Sequence, residues 1–382
     1  MLQNKNKADC TVIKFLDLKA SYLELKQEFD DAYHRVMDSG WYLLGEETER
    51  FEEEYASFCG VDHCVTVANG MDGLVLALRA FDVGPGDEVI VPAHTFIASW
   101  LAITQVGATP VPVEPHPETY NIDPEKIDAA ISKNTRCIMP VHLYGQPADM
   151  DPILEIANRH NLIVLEDAAQ SQGAQYKTQR SGSLGHAAAH SFYPGKNLGA
   201  FSDGGAVTSN DPKFSSKIRM LRNYGSQVKY QHEVPGVNSR IDEFQAAVLR
   251  IKLRHLDQWN SRRSEIAANY LKRLADLPGI TLPKILEDSV SAWHLFVIRH
   301  SDRDQLQNQL RKREINTLIH YPTAPHVAGA YKDLGYEAGA FPIAEELTST
   351  LLSLPIGPQQ PIEATDRVIA AVREIVTAGA LK

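Results

Sequence analysis

The chain has 382 residues, 43% of them hydrophobic and 23% charged, a composition that fits a globular protein long enough for a large core and two domains. With 38 Lys and Arg against 48 Asp and Glu, the formal net charge of −10 argues against nucleic acid or an anionic membrane as a general partner, though it leaves room for a local basic pocket. Its four cysteines, Cys10, Cys59, Cys64 and Cys137, form no CxxC pair and no cluster with histidine, so neither a metal site nor a disulfide framework is expected.

The N-terminal MLQNKNKADC is polar and lacks an apolar core, and no run approaches the length of a membrane span, so a soluble, unprocessed, cytoplasmic protein is expected. Short β-rich runs then alternate with helical patterns. HCVTVAN precedes GMDGLVLALRAF, DEVIVPA precedes TFIASWLAITQV, and TPVPVE and TRCIMPVHLYG lead into the amphipathic DMDPILEIANRH and the strand LIVLEDAA. This order predicts a mainly parallel sheet covered by helices on both faces, with chemistry at the carboxyl ends of the strands. From about residue 245 a long charged helical pattern begins, followed by WHLFVIRH, a helix DQLQNQLRKREI, the segment NTLIHYPTAPH and a last helix EATDRVIAAVREIVTAG. The expected division is a large domain over residues 1–250 and a smaller α+β domain over 251–382.

Three strand ends stand out. After HCVTVAN, the run Asn69-Gly70-Met71-Asp72 opens a helix, where free N–H groups favour an anion; the same residues also read as an ordinary N-cap and turn. After LIVL comes Glu166-Asp167-Ala168-Ala169-Gln170, where a carboxylate at the end of an apolar strand needs a cation or donors, or else caps the next turn. In HSFYPGKNLGAFSDGGAV, Lys196 lies between Gly195 and Gly199, which would let the backbone pass close to a flat ligand. Phe96 in PAHTFIAS reads as a core aromatic or as a ligand platform. An amine, an acid and an anion cradle together are the parts that hold pyridoxal phosphate.

The segments NGMDGLVLALRA, PAHTFIAS, HLYGQPADM, LEDAAQSQGA, SFYPGKNLGAFSDGGAV, LRNYGS and GVNSRIDEFQAAVL, in this order, resemble the DegT/DnrJ/EryC1/StrS family of pyridoxal-phosphate-dependent sugar-nucleotide aminotransferases over essentially the whole chain. The resemblance implies an α/β, fold type I (aspartate-aminotransferase-like) architecture, with a mainly parallel seven-stranded sheet in the large domain. It also implies a homodimer with active sites shared at the interface. In those terms Lys196 is the Schiff-base lysine, Asp167 pairs with the pyridine nitrogen, Gln170 lies near the phenolic oxygen and Phe96 stacks on the ring. Gly70, the Met71 backbone and Ser191 hold the phosphate, and Asn238 reaches it from the neighbouring subunit. Many members carry Thr where this chain has Met71, so the backbone N–H must serve there. Dehydratase members replace the lysine by histidine; this chain keeps Lys196, which implies an aminotransferase cycling between pyridoxal and pyridoxamine phosphate.

Within the family, NLGAFSDGGAV, HEVPGVNSR and IHYPTAPH are most similar to the branch that aminates C-3 of dTDP-3-keto-6-deoxyhexoses with L-glutamate as donor and 2-oxoglutarate as co-product. A C-4 aminotransferase acting on a dTDP- or UDP-4-keto sugar shares every cofactor residue and is the alternative. A non-catalytic regulatory protein that keeps the cofactor pocket is the alternative of another class. Tyr193, His320 and Tyr321 are candidates for handling the sugar and its diphosphate. Tyr193 also reads as closing its strand, and His320-Tyr321 as a packed extended dipeptide before Pro322. His326 is a further candidate, otherwise a solvated surface histidine.

Overall fold

The computed structural model describes residues 12–378. Cys10 lies outside them, whereas Cys59, Cys64 and Cys137 are buried free thiols. Among the described residues no helix is long and apolar enough to cross a membrane.

Seven short strands form the central sheet: β1 (His63–Val67), β2 (Glu88–Pro92), β3 (Thr109–Val113), β4 (Thr135–Ile138), β5 (Ile163–Asp167), β6 (Ala187–Ser191) and β7 (Gly205–Ser209). Their spatial order is β1-β7-β6-β5-β4-β2-β3. The five strands from β6 to β3 pair in parallel, and β7 alone runs against both its neighbours. Apolar runs such as EVIVP become strands because both faces of the sheet are covered. Val89 and Val91 of β2 enter one core with Leu74, Leu78 and Trp100, while Ile90 between them enters the other with Ile138, Ile153 and Val164. That alternation is the period-2 geometry of a strand.

The helices that cover this sheet and frame its carboxyl edge are α1 (Lys26–Ser39), α2 (Glu46–Cys59), α3 (Gly70–Ala80), α4 (Ala98–Gln105), α5 (Met150–His160), α6 (Pro212–Leu221) and the 32-residue α7 (Glu243–Leu274). The first half of α7 packs Leu249, Leu253 and Leu256 against Phe51 and Tyr55 of α2, and sets Val248 and Ile251 against Phe29 and Val36 of α1. Its second half turns Ile266, Tyr270 and Leu274 into a separate core. There they meet an antiparallel pair, β8 (Phe296–Arg299) with β9 (Leu351–Leu354), flanked by α8 (Arg303–Lys312) and α9 (Ile362–Thr377). The architecture is thus α/β, a large mostly parallel sheet with a smaller α+β unit, as in fold type I enzymes. The division expected at residue 250 falls inside α7, which serves both cores without a break, and Ile13 near the N-terminus joins the second core.

One buried carboxylate holds the large unit together. Glu52 on α2 accepts from the Thr66 N–H (2.9 Å) and hydroxyl (2.8 Å) on β1, from Arg222 just beyond α6 (2.6 Å) and from Arg219 on α6 (2.5 Å). Burial alone would raise its pKa, but the Arg222 and Arg219 charges and the Thr66 hydrogen bonds hold it below the usual glutamate value. Removing one partner of such a network leaves the other charge buried and unpaired. Glu52→Ala is therefore expected to destabilise the fold by about 3–5 kcal/mol in urea unfolding. Because the folded-state pKa is depressed, the parent's share of stability from Glu52 is present above about pH 4.5 and lost as the pH falls through the folded value, a slope the variant should lack.

Candidate active site

The carboxyl ends of the strands converge on one edge. Asp167 ends β5 and Ser191 ends β6, and because β7 is antiparallel it starts there, pairing Gly205 with both Ser191 and Val67. Helix α3 also starts there: Asn69 caps it by accepting from the Asp72 N–H (2.9 Å). Its opening turn lies flat against the strand ends, since a Cβ on Gly70 would stand 2.6 Å from the Ser191 Cβ, and one on Gly205 would run into the Asn69 carbonyl. A cavity of about 1260 Å³ opens at this edge. Gly70, Met71 and Ser191 line its inner end, where the first N–H groups of α3 have no intrahelical acceptor.

Lys196 sits in the turn between β6 and β7, closed by a hydrogen bond from its own N–H to the Tyr193 carbonyl (2.8 Å). Its Nζ has no hydrogen-bond or ion-pair partner among the described residues and faces the cavity. Desolvation pulls its pKa down to about 8, with Asp167 acting in the opposite direction. Gly199 is small for another reason than the expected one: a Cβ there would lie 2.5 Å from the Pro194 carbonyl oxygen, so it lets the turn close on itself, and Gly195 meets nothing closer than 3.6 Å.

Asp167, 5% exposed, presents its carboxylate to the same cavity. Oδ2 accepts from the Ser99 hydroxyl at 2.7 Å and Oδ1 from the Ala169 N–H at 3.2 Å. Its neighbour Glu166 points the other way along the strand, into a buried nest of the Gly182, Leu184 and Gly185 N–H groups and His142. The pleat thus separates a structural acid from one that faces the cleft.

Phe96 is 51% exposed into the cavity, and its ring centroid lies 5.2 Å from that of Tyr321. Gln170 donates to the Tyr321 hydroxyl (2.8 Å) and accepts from the Tyr144 N–H (2.7 Å). Tyr321, expected at the sugar end, therefore lies against two residues expected to hold the cofactor. His320 lines the cavity, with its Nδ1 2.8 Å from the Ser353 hydroxyl; burial and then the charge of Lys196 push its pKa down to about 4, so it is neutral at physiological pH. Tyr193 lines the wall beside Lys196 and is 59% exposed. Asn238 does not line the cavity; it is exposed and forms a bridge with Asn223. His326 is no surface residue: it is fully buried, 3.0 Å from Glu345 and packed on Phe341.

The sequence reading missed several residues. Ser99 reaches Asp167 across 68 positions. Tyr144, at a positive φ of 61°, joins the His94 ring (2.8 Å), the Gln170 side chain and the His320 carbonyl. Lys14, which pairs with Asp17 at 2.9 Å, and Arg311 also line the cavity. Only the helical spacing of Thr95 and Ser99 offered a local signal.

The DegT/DnrJ/EryC1/StrS aminotransferase family model matches residues 23–373. The chain belongs to that family. It is 56% identical, over 94% of its length and 99% of the relative's, to the erythromycin biosynthesis sensory transduction protein EryC1 of Saccharopolyspora erythraea. It is 55% identical, over 97% of both, to the dTDP-3-amino-3,4,6-trideoxy-α-D-glucose transaminase of Streptomyces venezuelae. Its fold superposes with a TM-score of 0.94 on the crystal structure of S. venezuelae DesV in complex with a ketimine intermediate, covering 96% of this chain and 98% of that one at 55% identity. The protein is accordingly a pyridoxal-phosphate-dependent aminotransferase, and its cofactor is pyridoxal phosphate alternating with pyridoxamine phosphate, the form seen in solved members of the family. The cavity fits that group: an unpaired amine, a buried carboxylate already oriented by two donors, a helix N-terminus at one end and an aromatic face between.

Ser99 is the donor that aims Asp167. Ser99→Ala should weaken pyridoxal phosphate binding about fivefold, the equivalent of roughly 1 kcal/mol for one hydrogen bond, in a fluorescence titration of the cofactor-free protein.

Proposed function

We propose that the protein transfers an amino group from L-glutamate to C-3 of a dTDP-linked 3-keto-6-deoxyhexose. The observation that carries this reading is a single cavity lined by the Lys196 amine, the Asp167 carboxylate, Lys14 and Arg311. Amine and acid suit the cofactor, and the further cations Lys14 and Arg311 suit a nucleotide diphosphate. The dTDP-3-amino sugar transaminase of S. venezuelae, at 55% identity, supports the class of sugar and favours C-3.

Bound in this cavity, pyridoxal phosphate supplies the electron sink that stabilises charge left on carbon when a proton is removed. The chain supplies the rest. Asp167 would pair with the ring nitrogen and keep it protonated, which would deepen the sink. With the cofactor bound, Lys196 Nζ would be the base that holds and returns the proton. A pKa near 8 lets a useful share of it be neutral at physiological pH, and that share rises as the pH climbs toward 8. The first N–H groups of α3 and the Ser191 hydroxyl would hold the phosphate. His320, held neutral, can donate or accept at Nε2 without adding charge.

Stopped-flow absorbance separates the two half-reactions. With glutamate alone, His320→Ala is expected to stay within about threefold of the parent, and with the keto-sugar to fall tenfold or more, roughly 1.4 kcal/mol. Tyr321→Phe should slow both halves, because its hydroxyl partners Gln170. Nuclear magnetic resonance of the product decides the carbon: nitrogen at C-4 would replace the C-3 reading with its alternative, and no amination of any dTDP-keto-deoxyhexose would remove the substrate class.

The reading includes a homodimer. Trp41, Tyr42 and Leu43 are exposed, and Leu43 bridges to Asp242, four residues from exposed Asn238, so an apolar patch adjoins the residue expected to serve a partner's site. Sedimentation should give two chains per particle at micromolar concentration, and Trp41→Glu should shift that toward one.

A further inference from the structure

The chain that leaves β4 runs on beside the end of β5: the Asp167 N–H donates to the Pro140 carbonyl (2.9 Å), and the His142 N–H donates to the Asp167 carbonyl (3.0 Å). On its other side Asp167 pairs with Ala189 of β6, two residues before Ser191. The acid therefore stands between two flanks of the sheet edge. One carries Ser191 and the start of α3, and the other carries the segment that ends in Tyr144.

Tyr144 fixes what lies on that second flank. A main-chain N–H can only donate, so the Tyr144 N–H at 2.7 Å identifies the oxygen of the Gln170 amide and turns its NH2 group toward Tyr321, whose hydroxyl oxygen accepts from it at 2.8 Å. The Tyr144 hydroxyl donates to the carbonyl of His320, the residue before Tyr321. An amide NH2 takes no proton in return, so the Tyr321 O–H must point away from Gln170. It donates to no acceptor among the described residues, and Tyr321 lines the cavity with its ring against Phe96. Burial pushes its pKa up, so the hydroxyl keeps its proton.

Pyridoxal phosphate has its phosphate arm and its phenolic oxygen on opposite sides of the axis that runs from the ring nitrogen to the carbon that meets the amine. With the nitrogen at Asp167 and the phosphate on the flank of Ser191 and α3, the phenolic oxygen falls on the flank of Tyr144, Gln170 and Tyr321. Beside a protonated ring nitrogen that oxygen ionises readily, and an ionised oxygen only accepts.

We propose that Tyr321 is a cofactor-binding residue whose hydroxyl, turned outward by Gln170 and Tyr144, donates a hydrogen bond to the phenolic oxygen of pyridoxal or pyridoxamine phosphate. The inference rests on Asp167 meeting the ring nitrogen and Ser191 the phosphate, and adds a donor on the opposite edge of the ring. It also ties the smaller unit to the bound cofactor, because Leu318, three residues before Tyr321, bridges to Ser353 of β9.

Pyridoxamine phosphate binds without a covalent bond, so a fluorescence titration of the full-length, cofactor-free protein reads its contacts alone. The parent is expected to bind it about tenfold more tightly than its 3-deoxy analogue, which lacks the phenolic oxygen. Tyr321→Phe keeps the ring beside Phe96 and should cut that preference to about twofold, while binding the 3-deoxy analogue within about twofold of the parent. An unchanged preference in Tyr321→Phe, or equal weakening of both ligands, overturns the proposal. The orientation is read separately, since Ser191→Ala should reduce the preference for pyridoxamine phosphate over pyridoxamine. If it does, and Tyr321→Phe leaves the preference over the 3-deoxy analogue intact, the hydroxyl assignment alone fails; if it does not, the orientation fails and the proposal with it.

Discussion

The Asn197 carboxamide is the constraint on which the geometry of the site depends. Both of its N–H donors and its oxygen are engaged, by Asn260 on α7, by the Ala292 carbonyl and by His294. A buried amide left half-satisfied would cost about 1–3 kcal/mol, so this one has little freedom to move. Because it follows Lys196, it fixes the reactive turn relative to both the long helix and the segment that enters the smaller unit. Arg263 strengthens the same junction with donations to the Trp293 and Ile356 carbonyls (3.2 Å each) and to His294 (3.4 Å).

Electrostatics at the site are governed by desolvation more than by ion pairing. His94 and His320 are pushed down to about 4, Lys196 and Lys252 to about 8, and Arg263 to about 10, each chiefly by burial. Lys252 and Arg263 rest on backbone carbonyls and, for Lys252, on the Phe201 ring at 4.5 Å, with no carboxylate bound to either among the described residues. Among the described residues, Asp167 and Asp203 are the acids that line the cavity, against Lys14, Lys196 and Arg311. Such a site is short of negative charge, and a phosphorylated cofactor followed by a nucleotide diphosphate supplies it.

The same junction links the two cores. Since α7 carries residues of both along one unbroken helix, Asn260 and Arg263, between its halves, lie where the large sheet meets the smaller α+β unit. Gly145, at a φ of 104°, lets the chain pass so close that a Cβ would stand 2.6 Å from the His294 N–H nitrogen. The strand-end loops and the 292–295 segment are in this way packed together, with His294 and Leu295 lining the cavity and Tyr144 buried behind it.

Local pattern was enough to reveal the parallel sheet, the helix start at Gly70, the acid at Asp167 and the amine at Lys196. Each depends on neighbours in the chain: an apolar run followed by glycine, a carboxylate where a strand stops, a lysine in a turn. It was also enough for the resemblance that implied the family. What joins distant positions was not legible. Ser99 finds Asp167, Gln170 meets the Tyr321 hydroxyl, and His326 is drawn inside against Glu345, because packing brings together groups whose separation in sequence carries no period. The His294 ring is the extreme case: its Nδ1 meets the Asn197 amide, whose own orientation depends on Asn260 and on the main-chain carbonyls of Ala292 and Gln172, and no single one of these residues indicates it. The sequence by itself determined which chemical groups stand at the strand ends, because backbone periodicity is local; the tertiary structure decided which of them are paired, neutral or free, because burial and hydrogen-bond satisfaction are properties of the assembled core.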